Sequence, residues 1–239
     1  MCGRYVSTLS VADLALLFEA LDDSGDAVHP SYNLAPTRMV PVVRRSRTHS
    51  SRVVSAARWG LVPSWAKDPS VGTRMFNARS ETVATKSAYR SPFARKRCLV
   101  PADGWYEWRK LPDGGKQPYF MTAGPGRPLV FAGLWDFWDK EEPILSCTIL
   151  TTEAIGDLER VHDRMPLLLG PERYAAWLGE EEPDGDLLEP PGTALLSELE
   201  IRPVGRAVGN VRNDAPQLIE AEPEAGGTSA GTDARPTLF

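Results

Sequence analysis

The 239 residues, 42% of them apolar and with a net charge of -5, can bury one sizeable core but contain no run of eighteen or more apolar residues. The opening MCGRYVSTLS lacks the apolar stretch of a signal peptide, so a soluble cytoplasmic protein with no membrane partner is expected. Cys2, Cys98 and Cys147 are odd in number and widely spaced, and His29, His49 and His162 are equally scattered, which argues against a disulfide framework and a zinc site; no metal and no cofactor are expected.

In chain order, residues 9–21 place Leu14, Leu17, Phe18 and Leu21 at helical spacing with Ser10 as N-cap, predicting an amphipathic helix. A proline-bearing loop with Pro30, Pro36 and Pro41 follows. The runs MVPVV, RVVSAARWGLV, RCLV, PLVFAGLW and ILSCTILT then read as strands. Helical turns are predicted near 155–161 and over 171–178, with Pro171 at the first helical position. The count gives a β-rich α+β fold. Residues 1–222 are expected to form one domain with an exposed acidic loop near 180–200, and 223–239 have the composition of a disordered tail.

Charge is regional. Residues 180–200 carry eight acids and no base, whereas residues 29–101 carry fourteen Lys and Arg against only Asp68 and Glu81. Such a surplus suits a polyanionic partner, although a solvated basic face without a partner has the same composition.

Cysteine at position 2 permits removal of the initiator methionine, which would leave a terminal 1,2-aminothiol. An α-amine with a pKa near ~8 and a thiol near ~8.5 each hold a nucleophilic fraction at neutral pH. The amine can condense with an aldehyde to an imine, and the thiol can then close a five-membered thiazolidine ring by intramolecular attack. A cysteine that merely happens to be second is the plainer alternative.

The segments MCGRY (1–5), YNLAPT (32–37), RWGLVPSWAKD (58–68), FNARSET (76–82), RCLVPADGWYEW (97–108), FAGLWDFW (131–138), TILTTEA (148–154) and VHDRMPLLL (161–169) together resemble the SOS response-associated peptidase (SRAP) family, in the family's order. The resemblance implies a barrel-like β-rich core with peripheral helices. It also implies recognition of abasic sites in single-stranded DNA, with a thiazolidine crosslink through Cys2 and possible lyase or autoprocessing peptidase activity. By that resemblance Cys2, Asn77, Glu107 and His162 are catalytic, Arg4 and Arg79 hold phosphate, and Asn33 and Pro36 lie near the DNA. Asn210, Arg212, Asn213 and Asp214 match a family element whose preceding segment departs, and no catalytic role is assigned to them.

Read as a strand, FNARSE puts Asn77, Arg79 and Glu81 on one face, where an amide and a guanidinium fork suit a sugar oxygen and a phosphate. In WYEW the carboxylate of Glu107 sits among aromatic groups, a setting that raises its pKa for proton transfer. His162 lies at an element boundary, placed to assist opening of the sugar to its aldehyde, and Thr151 can help to bind sugar or phosphate. Trp65 is the tryptophan best suited to stack on an unpaired base, with most of the seven in the core. Each residue also has a structural reading: a surface strand position for Glu107, a salt bridge for Arg79, a hydrogen-bonding role for His162. Two rival functions remain open, an N-terminal nucleophile amidohydrolase or peptidase using Cys2, and a non-covalent single-strand binding protein.

Overall fold

The computed structural model describes residues 2–46, 48, 51–181 and 186–224. Strand β1 (Tyr5–Ser7) leads into helix α1 (Val11–Leu17), whose N-cap Ser10 accepts a hydrogen bond from the Asp13 amide at 3.1 Å. The helix is shorter than its apolar spacing predicts. Glu19 turns to φ 50°, and the chain leaves as β2 (Ala20–Asp23), paired in parallel with residues 52–55. Leu14 and Phe18 are therefore buried, while Leu17 and Leu21 remain about half exposed.

Next come β3 (Ser31–Leu34), β4 (Met39–Arg45), β5 (Arg52–Trp59), β6 (Asn77–Arg79), α2 (Ser80–Val83) and α3 (Arg90–Arg95). They are followed by β7 (Arg97–Ala102), β8 (Gly104–Lys110), β9 (Lys116–Thr122), β10 (Leu129–Trp138), β11 (Ile144–Glu153) and β12 (Arg164–Pro166). Helices α4 (Tyr174–Leu178) and α5 (Thr193–Ser197) and strand β13 (Glu200–Pro203) complete the order. All five predicted strand runs form strands. The turn predicted at 155–161 is a 3-10 helix over Gly156–Arg160, and Pro171 opens a 3-10 turn that continues into α4.

Five strands close into a ring. β4 pairs with β5 and β7, β7 with β10, and β10 with β11, and β11 returns to β5 through Ser146↔Arg58 and Cys147↔Trp59. The two-residue period of each strand then sorts its side chains. Val40, Val42, Ala57, Trp59, Cys98, Val100, Phe131, Cys147 and Ile149 share the interior cluster. Val43, Val54, Leu99, Val130, Ala132, Leu134 and Leu150 belong to a second cluster with Leu14, Val83 and Trp177 of the helices. Burial on both faces is why these strands read as continuous apolar runs rather than alternating ones.

A second, antiparallel sheet of order β13-β9-β8-β1-β3 packs onto this barrel. Its Tyr5, Trp105 and Met121 join the interior cluster. Tyr5 meets Trp59 edge-on at 5.1 Å and Trp105 meets Phe131 at 6.0 Å. Residues 2–4 are thereby brought to the junction of sheet and barrel. The segment delivering Asn77 is fixed by two glycines in contact: Gly60 has φ 132°, and a Cβ there would lie 2.3 Å from the Gly72 carbonyl oxygen. A Cβ on Gly72 would lie 2.6 Å from the Gly60 carbonyl. Gly72→Ala is expected to destabilise the fold by ~2 kcal/mol or more, read as a lowered urea midpoint; an unchanged midpoint would show that residues 60–76 move freely.

The acidic segment is less exposed than its composition predicts. Glu180 pairs with Arg52 at 2.8 Å, Leu187 and Leu188 pack on the second cluster, and Pro191 is buried. Residues 182–185 lie outside the described residues, as does the predicted tail from 225 onward. Within the predicted tail, whose first residue is 223, Glu224 accepts hydrogen bonds from Arg109 Nη2 at 2.6 Å and from the Tyr119 hydroxyl.

Candidate active site at the chain start

Tyr5 pairs with Trp105, and the Tyr106 amide donates to the Arg4 carbonyl at 2.9 Å, so the start of the chain runs along β8 toward Glu107. From the other side, Asn77 Nδ2 donates to the Cys2 carbonyl at 2.6 Å. Asn77 stands opposite Ile149 on β11 because β6 and β11 run parallel. Its Oδ1 is buried without a hydrogen-bond partner among the described residues, an open acceptor beside the first residues.

Cys2 is fully buried. Burial raises its thiol pKa, and the nearby Glu107 carboxylate raises it further. Burial thus favours the thiol over the thiolate while Met1 precedes Cys2. Glu107 itself is 3% exposed, and burial pushes its pKa up to about 7, with Asp163 adding in the same direction.

His162 Nδ1 lies 2.9 Å from the Arg164 amide and 2.8 Å from the Asp163 carboxylate. It can accept from the first only when that nitrogen is unprotonated, and donate to the second only when it carries a proton. Burial holds the His162 pKa below the usual histidine value, and Asp163 is largely exposed, so neutral imidazole with Nδ1 accepting is the resting form. Arg164 fixes this turn. Its fork binds Glu81 at 2.6 and 3.0 Å, and Nη2 also reaches the Thr151 carbonyl at 2.6 Å. The sequence reading did not single out Arg164, although its place two residues after His162 was the available signal.

The other sequence-derived residues fall into two groups. Arg4 and Asn33 serve each other: Arg4 Nη1 donates to Asn33 Oδ1 and to the Val208 carbonyl, both at 2.7 Å. Asn33 is buried, and its Nδ2 reaches the carbonyls of Asn210 and Asn213 at 3.1 and 2.7 Å. Asp214 accepts from the Tyr32 amide at 2.6 Å, so the segment left without a role anchors β3. Thr151 is fully buried, opposite Arg79. Arg79 is exposed, whereas Glu81 is in α2 rather than continuing the strand, because the helix begins at Ser80. Pro36 is half-buried in the turn after β3. Trp65 is 65% exposed, while Trp59, Trp105 and Trp177 are fully buried. Trp65 is not hydrogen-bonded to the Cys2 group; its neighbour Ser64 is held by Asp136 at 2.8 Å.

A β-barrel capped by a sheet that buries the second residue against Glu107 and Asn77 defines the class of protein. The family model described as SOS response associated peptidase (SRAP) matches residues 1–211, and the chain belongs to that family. The abasic site processing protein YoqW of Bacillus subtilis is 35% identical over 92% of this chain and 100% of its own length. YedK of Escherichia coli, also named an abasic site processing protein, is 33% identical over 92% of this chain and 99% of its own. A crystal structure of a protein from Bacteroides thetaiotaomicron shares the fold, with a TM-score of 0.78, 22% identity, and coverage of 92% of this chain and 100% of that one. Among the described residues no helix is long and apolar enough to cross a membrane.

Proposed function

We propose that this protein captures abasic sites in single-stranded DNA by condensing the terminal aminothiol of Cys2 with the sugar aldehyde. The observation that carries the reading is the buried Cys2–Glu107 pair, clamped by Asn77 at the carbonyl of the same cysteine. The names of the relatives, abasic site processing proteins, support the substrate class.

Removal of Met1 would free the Cys2 nitrogen as an amine. That amine attacks the aldehyde carbon, and the carbinolamine loses water to give an imine. Glu107, with a pKa near neutrality, can protonate the departing hydroxyl and take the proton that the nitrogen gives up, which restores the acid. The thiol sulfur then adds to the imine carbon while its proton passes by way of Glu107 to nitrogen, so one water leaves in the net reaction. A raised thiol pKa fits this order, because the amine acts first and the sulfur needs deprotonation only at ring closure. His162 in this neutral form carries its proton on Nε2 and can donate it to the ring oxygen as the sugar opens to the aldehyde, the anomeric hydroxyl losing its proton to water. The open Asn77 Oδ1 can accept from the hydroxyl left on the opened sugar. Arg4, held by Asn33, and the exposed Arg79 supply positive charge for flanking phosphates.

Purified protein incubated with single-stranded DNA carrying one abasic site is expected to give a denaturation-resistant shifted band. Its absence would refute crosslinking and leave non-covalent binding as the rival. Arg79→Ala is expected to weaken DNA affinity ~10-fold while the crosslinking rate at saturating DNA stays within ~2-fold. An equal loss in both would make Arg79 part of the chemistry.

A further inference from the structure

The basic surplus of residues 29–101 is only partly used at the Cys2 site. Four of its fourteen Lys and Arg, namely Arg45, Arg95, Lys96 and Arg97, line a cleft of about 590 Å³ elsewhere, together with Trp135 and Gly179. Arg97 opens β7, and Ala102 at its other end leads into β8, so the cleft lies roughly 17 Å along that strand from the point where the chain turns toward Glu107. Trp135, 5% exposed, closes the barrel interior here, with Arg44 over its ring at 5.0 Å and Lys96 at 5.7 Å.

The charges at this cleft are incompletely balanced. Lys96 pairs with the buried Asp136 at 2.5 Å, and Arg44 pairs with Asp23 at 2.8 Å. Arg45 and Arg97 donate to the carbonyls of Gly179 and Trp177, at the end of α4, which holds the guanidinium groups in place without a carboxylate. Arg95 is exposed and makes no side-chain hydrogen bond or ion pair among the described residues. Three guanidinium groups thus face one cavity with no carboxylate partner among those residues. Asp136 also links the cleft to the exposed Trp65: one oxygen binds Lys96 and the other the Ser64 amide.

We propose that this cleft is a second binding site for single-stranded nucleic acid, in which the guanidinium groups hold backbone phosphates beyond the lesion. Guanidinium groups without carboxylate partners that line one cleft present the forked donors suited to backbone phosphates. The inference rests on the proposed DNA substrate, but the cleft is spatially separate from Cys2 and can fail independently.

The test compares Arg95→Ala and the double variant Arg45→Gln/Arg95→Ala with wild type. Binding is measured on undamaged oligothymidine of about 5 and about 20 nucleotides over a salt series. For the longer strand the double variant is expected to bind ~10-fold more weakly, with a log–log salt slope shallower by ~1.4, the change for two lost phosphate contacts on a single strand. Binding of the shorter strand should be unchanged, as should the crosslinking rate at saturating abasic DNA. A purely structural role for Arg45 would not move the salt slope, and Arg95→Ala alone, which breaks no contact, should shift it by ~0.7. Unchanged affinity and slope on the longer strand in folded variants would overturn the proposal, as would equal losses on both lengths. If wild type forms no crosslink yet the length-dependent effect appears, the Cys2 chemistry fails and the cleft stands.

Discussion

Cys2→Ala is expected to abolish the heat-stable adduct with abasic single strands, while an imine trappable by borohydride remains. Thiazolidine formation needs amine and sulfur on one residue; alanine keeps the amine after Met1 removal and deletes only the ring-closing atom. A second variant separates this from ordinary thiol nucleophilicity. An uncleaved N-terminal extension turns the Cys2 nitrogen into an amide and leaves the sulfur untouched, so both stable and trappable adducts should vanish. The fold should survive each change, since the thiol is a small buried group and its loss removes one hydrogen bond to the Arg4 backbone; a thermal melt checks this. If the extended protein, with Cys2 verified as internal, forms the heat-stable band at the wild-type rate, the aminothiol mechanism is wrong.

Glu107→Gln is expected to slow crosslinking ~100-fold or more at pH 7 with single-strand affinity within ~2-fold, because the amide keeps the shape of the side chain but cannot exchange a proton. The same substitution has a signature in stability. Burial raises the Glu107 pKa from 4.5 to about 7 in the folded protein. Below 4.5 both states hold the proton and the wild type has its full stability. As pH rises from 4.5 through 7 the unfolded chain releases that proton while the folded one retains it, so stability falls, by on the order of 3 kcal/mol across the window. Glutamine has no proton to lose, so the urea midpoint of the variant should gain on wild type between pH 5 and pH 8. A difference that is constant with pH would mean that Glu107 is ionised in the fold throughout, and proton transfer by this residue would lose its basis.

Much of the site could be read locally. A carboxylate flanked by aromatic residues in WYEW is desolvated as the pattern predicts, and Asn77 reaches Cys2 from a strand of the expected alternation. The misreadings came from the same locality. Leu17 and Leu21 fit a helical stripe, but the positive φ at Glu19 and parallel pairing to β5 override spacing that nothing local contradicts. Trp65 and Trp59 are alike as residues in the segment WGLVPSW. One is exposed on a turn and the other fills the barrel, because only Trp59 lies on a strand whose neighbour β11 closes the ring.

The sequence by itself determined the family, the β-rich core and a basic middle segment, and it singled out Cys2, Asn77, Glu107 and His162 as candidates for the chemistry. These rest on residue type, short-range period and ordered motifs, all of which are one-dimensional. Tertiary structure alone decided that Cys2 is buried. It also decided that Arg4 and Asn33 hold each other, that Arg164 fixes the His162 turn, and that Arg45, Arg95, Lys96 and Arg97 line one cleft. Burial and pairing depend on contacts between residues far apart in the chain. A pKa is set by what surrounds a group in space, which no window along the sequence contains.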